Sequence, residues 1–109
     1  MKTMTKIAMT VALFVGVGTL QADVAANWKK NCASCHGQDG KGQTKMGKKS
    51  GAKDYTDASV QAGFTDEEAI KATKEGVKKD GKTVMKPYAA KLSDDEIKEL
   101  VAHIRSFKQ

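Results

Sequence analysis

The chain has only two cysteines, and both fall within one five-residue stretch, Cys32-Ala33-Ser34-Cys35-His36. No disulfide framework competes for them. Cys-x-x-Cys-His is the attachment signature of c-type haem. Each thiol can form a thioether to one haem vinyl group. A histidine directly after the second thiol can then sit beneath the iron as its proximal ligand. The competing reading is a redox-active or zinc-binding Cys-x-x-Cys with an unrelated histidine beside it. What surrounds the motif favours haem.

The chain opens with Lys2 and Lys6 and no acidic residue nearby. Ile7 to Leu20 is almost wholly apolar or small, and Leu20-Gln21-Ala22 is a suitable small-residue end. This is the pattern of a secretory signal peptide, expected to span residues 1–22 and to be cleaved after Ala22, with Ala26 the alternative site. The apolar run is shorter than the roughly 20 residues a spanning helix needs, which weighs against an uncleaved membrane anchor. The mature chain is then one domain, residues 23–109, exported to the periplasm. It keeps 17 of the 19 basic residues and all 13 acidic ones, for a formal charge of +4. Its aromatic residues are only Trp28, Tyr55, Phe64, Tyr88 and Phe107. So small a domain buries a modest core and often needs a staple or cofactor. A covalently held haem supplies the missing apolar volume.

Helix signals are clear and no strand run is evident. Val24 to Asn31 reads as a short helix entering the motif, with Asp23 as its N-cap. Gly37 to Lys53 reads as a loop, with five glycines among lysines. Asp57 to Ala62 reads as one or two helical turns. Thr65-Asp66-Glu67-Glu68 is a capping box for a helix ending before Gly76, with Ala69, Ile70 and Thr73 on one face. Ser93-Asp94-Asp95-Glu96 is a second capping box. Behind it Ile97, Leu100, Val101 and Ile104 fall at i, i+3, i+4 and i+7, an amphipathic stripe. Each helix is too short to be stable alone, so all must pack on something shared.

Haem iron has two axial positions, and the second decides between electron transfer and ligand chemistry. The mature chain offers Met46, Met85, His103 and many lysines. Met85 lies in Gly81 to Tyr88, between the two capped helices, where Pro87 biases Lys86 toward extended geometry. An open, stiffened segment of this kind suits an inward-pointing thioether, whereas most methionines simply fill core gaps. Met46, ten residues after His36, reaches the haem edge more readily than the far face of the iron. His103 reads as a half-buried ring at a helix–helix contact.

Taken together, these residues resemble the class I monohaem cytochromes c, small soluble bacterial electron carriers. The resemblance covers the mature chain in outline. It is most specific at Cys32 to Gly37 and from Met85 to Phe107. It implies an all-α cytochrome c fold of three to four short helices around one covalently attached haem c. It also implies that Cys32 and Cys35 bind the haem, with His36 proximal and Met85 distal on the iron. The chain departs from the family pattern in four places. Lys86 intervenes between the methionine and its proline, and His103 stands where an aromatic is usual. Val24 stands where glycine is frequent, and no proline follows the haem motif to orient the proximal histidine.

These features point to a one-electron carrier and not an enzyme, since no residue needs an acid–base role. The alternative is a gas-binding sensor or small peroxidase-like haem protein with a labile distal ligand. A thiol–disulfide protein expects a strand before Cys-x-x-Cys, where this chain has a helix. Lys78, Lys79, Lys82 and Lys86 bracket the Met85 segment, and Lys41, Lys45, Lys48 and Lys49 crowd the glycine-rich one. Such lysines can steer redox protein partners with acidic docking surfaces. A monomer that stays out of the membrane after signal cleavage, and that does not bind nucleic acid, is expected.

Overall fold

The computed structural model describes residues 23–109; the expected signal peptide lies outside them. Residues 23–31 form α1. Asp23 is therefore already helical and does not cap the helix. After it come α2 (Ala33–His36), α3 (Lys45–Ser50), α4 (Ala58–Ala62), α5 (Asp66–Glu75), β1 (Val77–Lys79), β2 (Lys82–Met85) and α6 (Asp94–Ser106). Among the described residues there are thus six helices, more than the three to four expected, and one hairpin where no strand was expected. The additional helices are α2 and α3, whereas α4 falls on the one or two turns expected at Asp57 to Ala62; these three have four to six residues each. Helices this short do not persist in isolation, so tertiary contacts must hold them.

The two long helices begin where the capping boxes place them. Thr65 and Ser93 each accept from the backbone N–H three residues on, and Glu68 and Glu96 reach back to the cap N–H. Thr73 is buried on α5, and Ile97, Leu100, Val101 and Ile104 are buried on α6. Trp28, Leu92, Ile97, Leu100 and Ile104 form one core cluster, with Tyr55, Phe64, Tyr88 and Phe107 packed against it. Each large apolar side chain buried in this way contributes roughly 1.5–3 kcal/mol.

The terminal helices meet through rings. Trp28 on α1 lies 5.2 Å from the His103 ring and 5.2 Å from that of Phe107. Asn27 donates to Glu96 Oε2 at 3.2 Å across the same contact. His103 is half-buried there, as its place on the flank of the helical stripe suggests.

The hairpin has a local cause. Asp80 and Gly81 both take positive φ, +54° and +79°. Asp-Gly with two positive φ values matches the twist of paired strands and closes the shortest hairpin. β1 and β2 pair antiparallel, with Val77 opposite Met85, Lys78 opposite Thr83 and Lys79 opposite Lys82. Met85 thus ends a strand; the open segment expected around it begins only at Lys86. Among the described residues, no helix is long and apolar enough to cross a membrane.

Candidate functional site

Helix α2 carries three of the four residues singled out from the sequence: Cys35 and His36 lie within it and Cys32 is its N-cap. One helical turn brings the two thiols and the imidazole together at the end of α1. Cys32 and Cys35 are both free and half-buried. Burial, with a smaller contribution from Cys35, pushes the Cys32 thiol up to about 11. A thiol–disulfide catalyst lowers a thiol pKa to make a thiolate at neutral pH. This environment does the reverse, which argues against that chemistry.

His36 is neutral in this setting, because burial pushes its pKa down. Its ring stacks on Tyr55 at 5.4 Å and 27°, and Trp28 lies 5.8 Å away on a tilted plane. Tyr55 in turn meets Phe64 edge-on at 5.8 Å. His36 Nδ1 is buried, and among the described residues no group hydrogen-bonds to it. A buried imidazole nitrogen without a protein partner is costly unless the ring has another task.

Zinc fits this arrangement poorly. It needs four ligands aimed at one centre. Among the described residues no three His, Cys, Asp or Glu side chains converge in that way. Haem does not require such convergence: the thiols bond to carbon at its edge and the imidazole alone addresses the iron. Two free half-buried thiols beside one neutral, poorly partnered imidazole fit that group.

The motif is held from outside by residues that the sequence reading did not single out. Trp28 Nε1 donates to Gly37 O at 2.9 Å, fixing the chain as it leaves α2. Thr44 Oγ1 donates to the carbonyls of Ser34 and Cys35, at 2.8 Å each, and accepts from Gly47 N at 2.9 Å. It therefore caps α3 and braces α2 with one hydroxyl. Gly47 lets α3 approach so closely that a Cβ there would collide with the Cys35 carbonyl. Gly40 packs its backbone against the Phe107 ring in the same way, at φ +74°. The stretch expected to be a plain loop thus contains a helix seated on the haem motif. Its N-cap was hidden because the capping-box signature wants Glu or Gln three residues on, and here that residue is Gly47.

Met85 is half-buried, and the chain beyond it is tied back to the motif. Tyr88 OH donates to Asn31 O, one residue before Cys32, at 2.9 Å. Tyr88 N donates to Thr73 O at 2.9 Å, so α5 anchors the same point. Met46 is 55% exposed on α3. His103 is engaged with Trp28 and Phe107, 5.2 and 5.0 Å away.

A cytochrome c family model matches residues 21–108 of the chain. Among solved structures, the chain is similar to the KustC0563 c-type cytochrome at 35% identity and a TM-score of 0.68, over 78% of this chain and 96% of that one. It is similar also to a mutant of the same protein with one tyrosine replaced by phenylalanine. There the identity is 36% and the TM-score 0.68, over 79% of this chain and 99% of the other. No curated protein matches.

Proposed function

The chain belongs to the cytochrome c family, and from that premise we propose a soluble single-haem carrier with His36 and Met85 as its axial pair. Family membership brings a covalently attached c-type haem and the role of electron carrier. When bound, the haem supplies a one-electron couple at its iron. The finer assignment rests on one observation above all: helix α2 and its N-cap present two half-buried thiols and a half-buried imidazole within a single turn.

Cys32 and Cys35 hold the haem by thioethers, and His36 is the proximal ligand. Met85 is the distal ligand, supported by its half-buried place and by Tyr88, which pins the following segment to Asn31 and Thr73. A thioether is a soft ligand and favours the ferrous state, which raises the potential. The rings of Trp28 and Tyr55 flank the imidazole, with Phe64 behind Tyr55, keeping water away and favouring the less charged ferrous state. With both axial positions held by the chain, little needs to move when an electron passes. The chain transforms no substrate.

The protein works in the periplasm after removal of residues 1–22 and meets acidic redox partners through its exposed lysines. Such contacts are small and brief. The test of the axial pair is Met85→Ala in the haem-loaded protein. The expected result is a lower reduction potential, loss of the sulfur-to-iron charge-transfer band in the near infrared, and binding of added imidazole or cyanide. An unchanged band rules Met85 out.

A further inference from the structure

Arg105 makes more contacts than any surface arginine needs. From α6 its Nη1 donates to Gln61 O at 2.6 Å and to Gln61 Oε1 at 2.9 Å. Nη2 donates to Phe64 O at 2.8 Å, and Nε donates to Asp66 Oδ1 at 2.9 Å. The guanidinium also lies over the Phe64 ring, 4.2 Å from its centroid. Gln61 is 5% exposed. Its Nε2 donates to Tyr55 O at 2.7 Å and to Ile104 O at 2.8 Å. Both side chains together tie the segment from Tyr55 to Asp66 onto α6.

That segment carries the ring stacked on the imidazole and the ring behind it. Tyr55 stacks on His36, and Phe64 buttresses Tyr55. The clamp grips Tyr55 and Phe64 by their backbone carbonyls, so it fixes where both rings stand. A planar, five-donor guanidinium can hold several oxygens at fixed angles, which an ammonium cannot. A surface strut would need only the ion pair with Asp66, which is the most exposed contact of the set.

We propose that Arg105, seated on Gln61, is a positioning residue for the haem's proximal side. By setting the Tyr55–Phe64 wall against His36 it fixes the imidazole plane and excludes water beside it. The proposal rests on His36 being the proximal ligand, but not on the identity of the distal one.

The test uses the haem-loaded protein and three variants: Arg105→Lys, Arg105→Gln and Asp66→Asn. The readouts are the reduction potential and the haem methyl proton shifts of the ferric form, which follow the orientation of the axial imidazole. Thermal stability is followed in parallel. Arg105→Lys keeps the charge and loses the fork. Arg105→Lys and Arg105→Gln are both expected to move the methyl shifts and to lower the potential. Asp66→Asn, which removes only the exposed partner, is expected to leave both as in the parent. Methyl shifts and potential unchanged in Arg105→Lys overturn the proposal, whatever happens to stability, and reduce the clamp to a structural strut. A potential that falls in Arg105→Gln alone also overturns it, because charge and not position then matters. If Arg105→Gln fails to fold, Arg105→Lys carries the test. A parent protein whose ferric spectrum lacks an imidazole-ligated signature refutes the proximal assignment itself, a failure separate from that of the clamp.

Discussion

Replacing Gly47 by alanine separates steric closeness from helix propensity at a single atom. Gly47 sits inside α3 and does not have positive φ, so alanine is conformationally welcome there. On propensity alone the change is expected to stabilise the helix by about 1 kcal/mol. The surroundings reverse the sign. The new methyl group would run into the Cys35 carbonyl and come within 2.7 Å of Gly42 O, both backbone atoms that cannot rotate away. Overpacking of this kind costs about 1–3 kcal/mol. If α3 lifts to relieve it, the Thr44 hydroxyl loses the one proton it shares between the Ser34 and Cys35 carbonyls, a further loss of about 1 kcal/mol. The balance is a destabilisation of roughly 1–3 kcal/mol, or a fall in melting temperature of roughly 4–24 °C for a domain of this size. Thermal unfolding of the haem-loaded protein, followed in the far-ultraviolet and Soret circular dichroism, reads it directly. The Soret signal is expected to change before the helical signal, because the strain falls on Cys35. A melting temperature equal to or above that of the parent would mean that α3 has room to spare and that the brace on the haem motif is not tight.

Three further outcomes follow from the same geometry. Trp28→Phe keeps a buried ring but removes one of the two donors to Gly37 O, which retains Gly40 N at 3.2 Å; the loss of that one bond costs about 0.5–1.5 kcal/mol in chemical denaturation, and an unchanged stability would contradict the bond. Glu96 is held below the ordinary carboxylate range first by the Ser93 backbone N–H, then by the Asn27 and Ser93 side chains. Its contribution is therefore present above its unfolded pKa and disappears as pH falls through the lower folded one. Glu96→Gln should flatten the loss of melting temperature as pH falls below about 4.5; parallel curves for parent and variant would count against it. Electron exchange with an acidic redox protein should slow as salt rises from low ionic strength to about 0.1 M, where the Debye length is roughly 10 Å; a rate indifferent to salt would remove lysine steering.

Legibility in the sequence tracked how far apart the interacting residues stand. The helices of α5 and α6 were readable because each capping box is complete within four residues and the α6 stripe repeats within one helix. The haem motif was readable for the same reason. The hairpin was not, although its Asp80-Gly81 turn is a strong local signal. Its strands carry lysines and little apolar alternation, since β1 is exposed throughout and in β2 only Val84 and Met85 are half-buried. Helix α3 was missed because three glycines and four lysines in Lys41 to Gly51 read as loop. What stabilises it is the Cys35 carbonyl, twelve residues before Gly47, which only a folded chain brings near. The Arg105 clamp reaches further still, across 44 residues to Gln61. Arg105 by itself is only a charge in the last turn of α6, of the sign that suits a helix C-terminus. The residues that carry the chemistry are thus local and declare themselves, whereas the residues that hold them in place are distant and ordinary in type. For a carrier of fixed cofactor this division has a consequence: the motif decides that haem is attached, but on the proposal made for Arg105 the potential is tuned by distant groups such as Gln61 and Arg105. Two chains with the same Cys-x-x-Cys-His can therefore differ in potential through these positions alone.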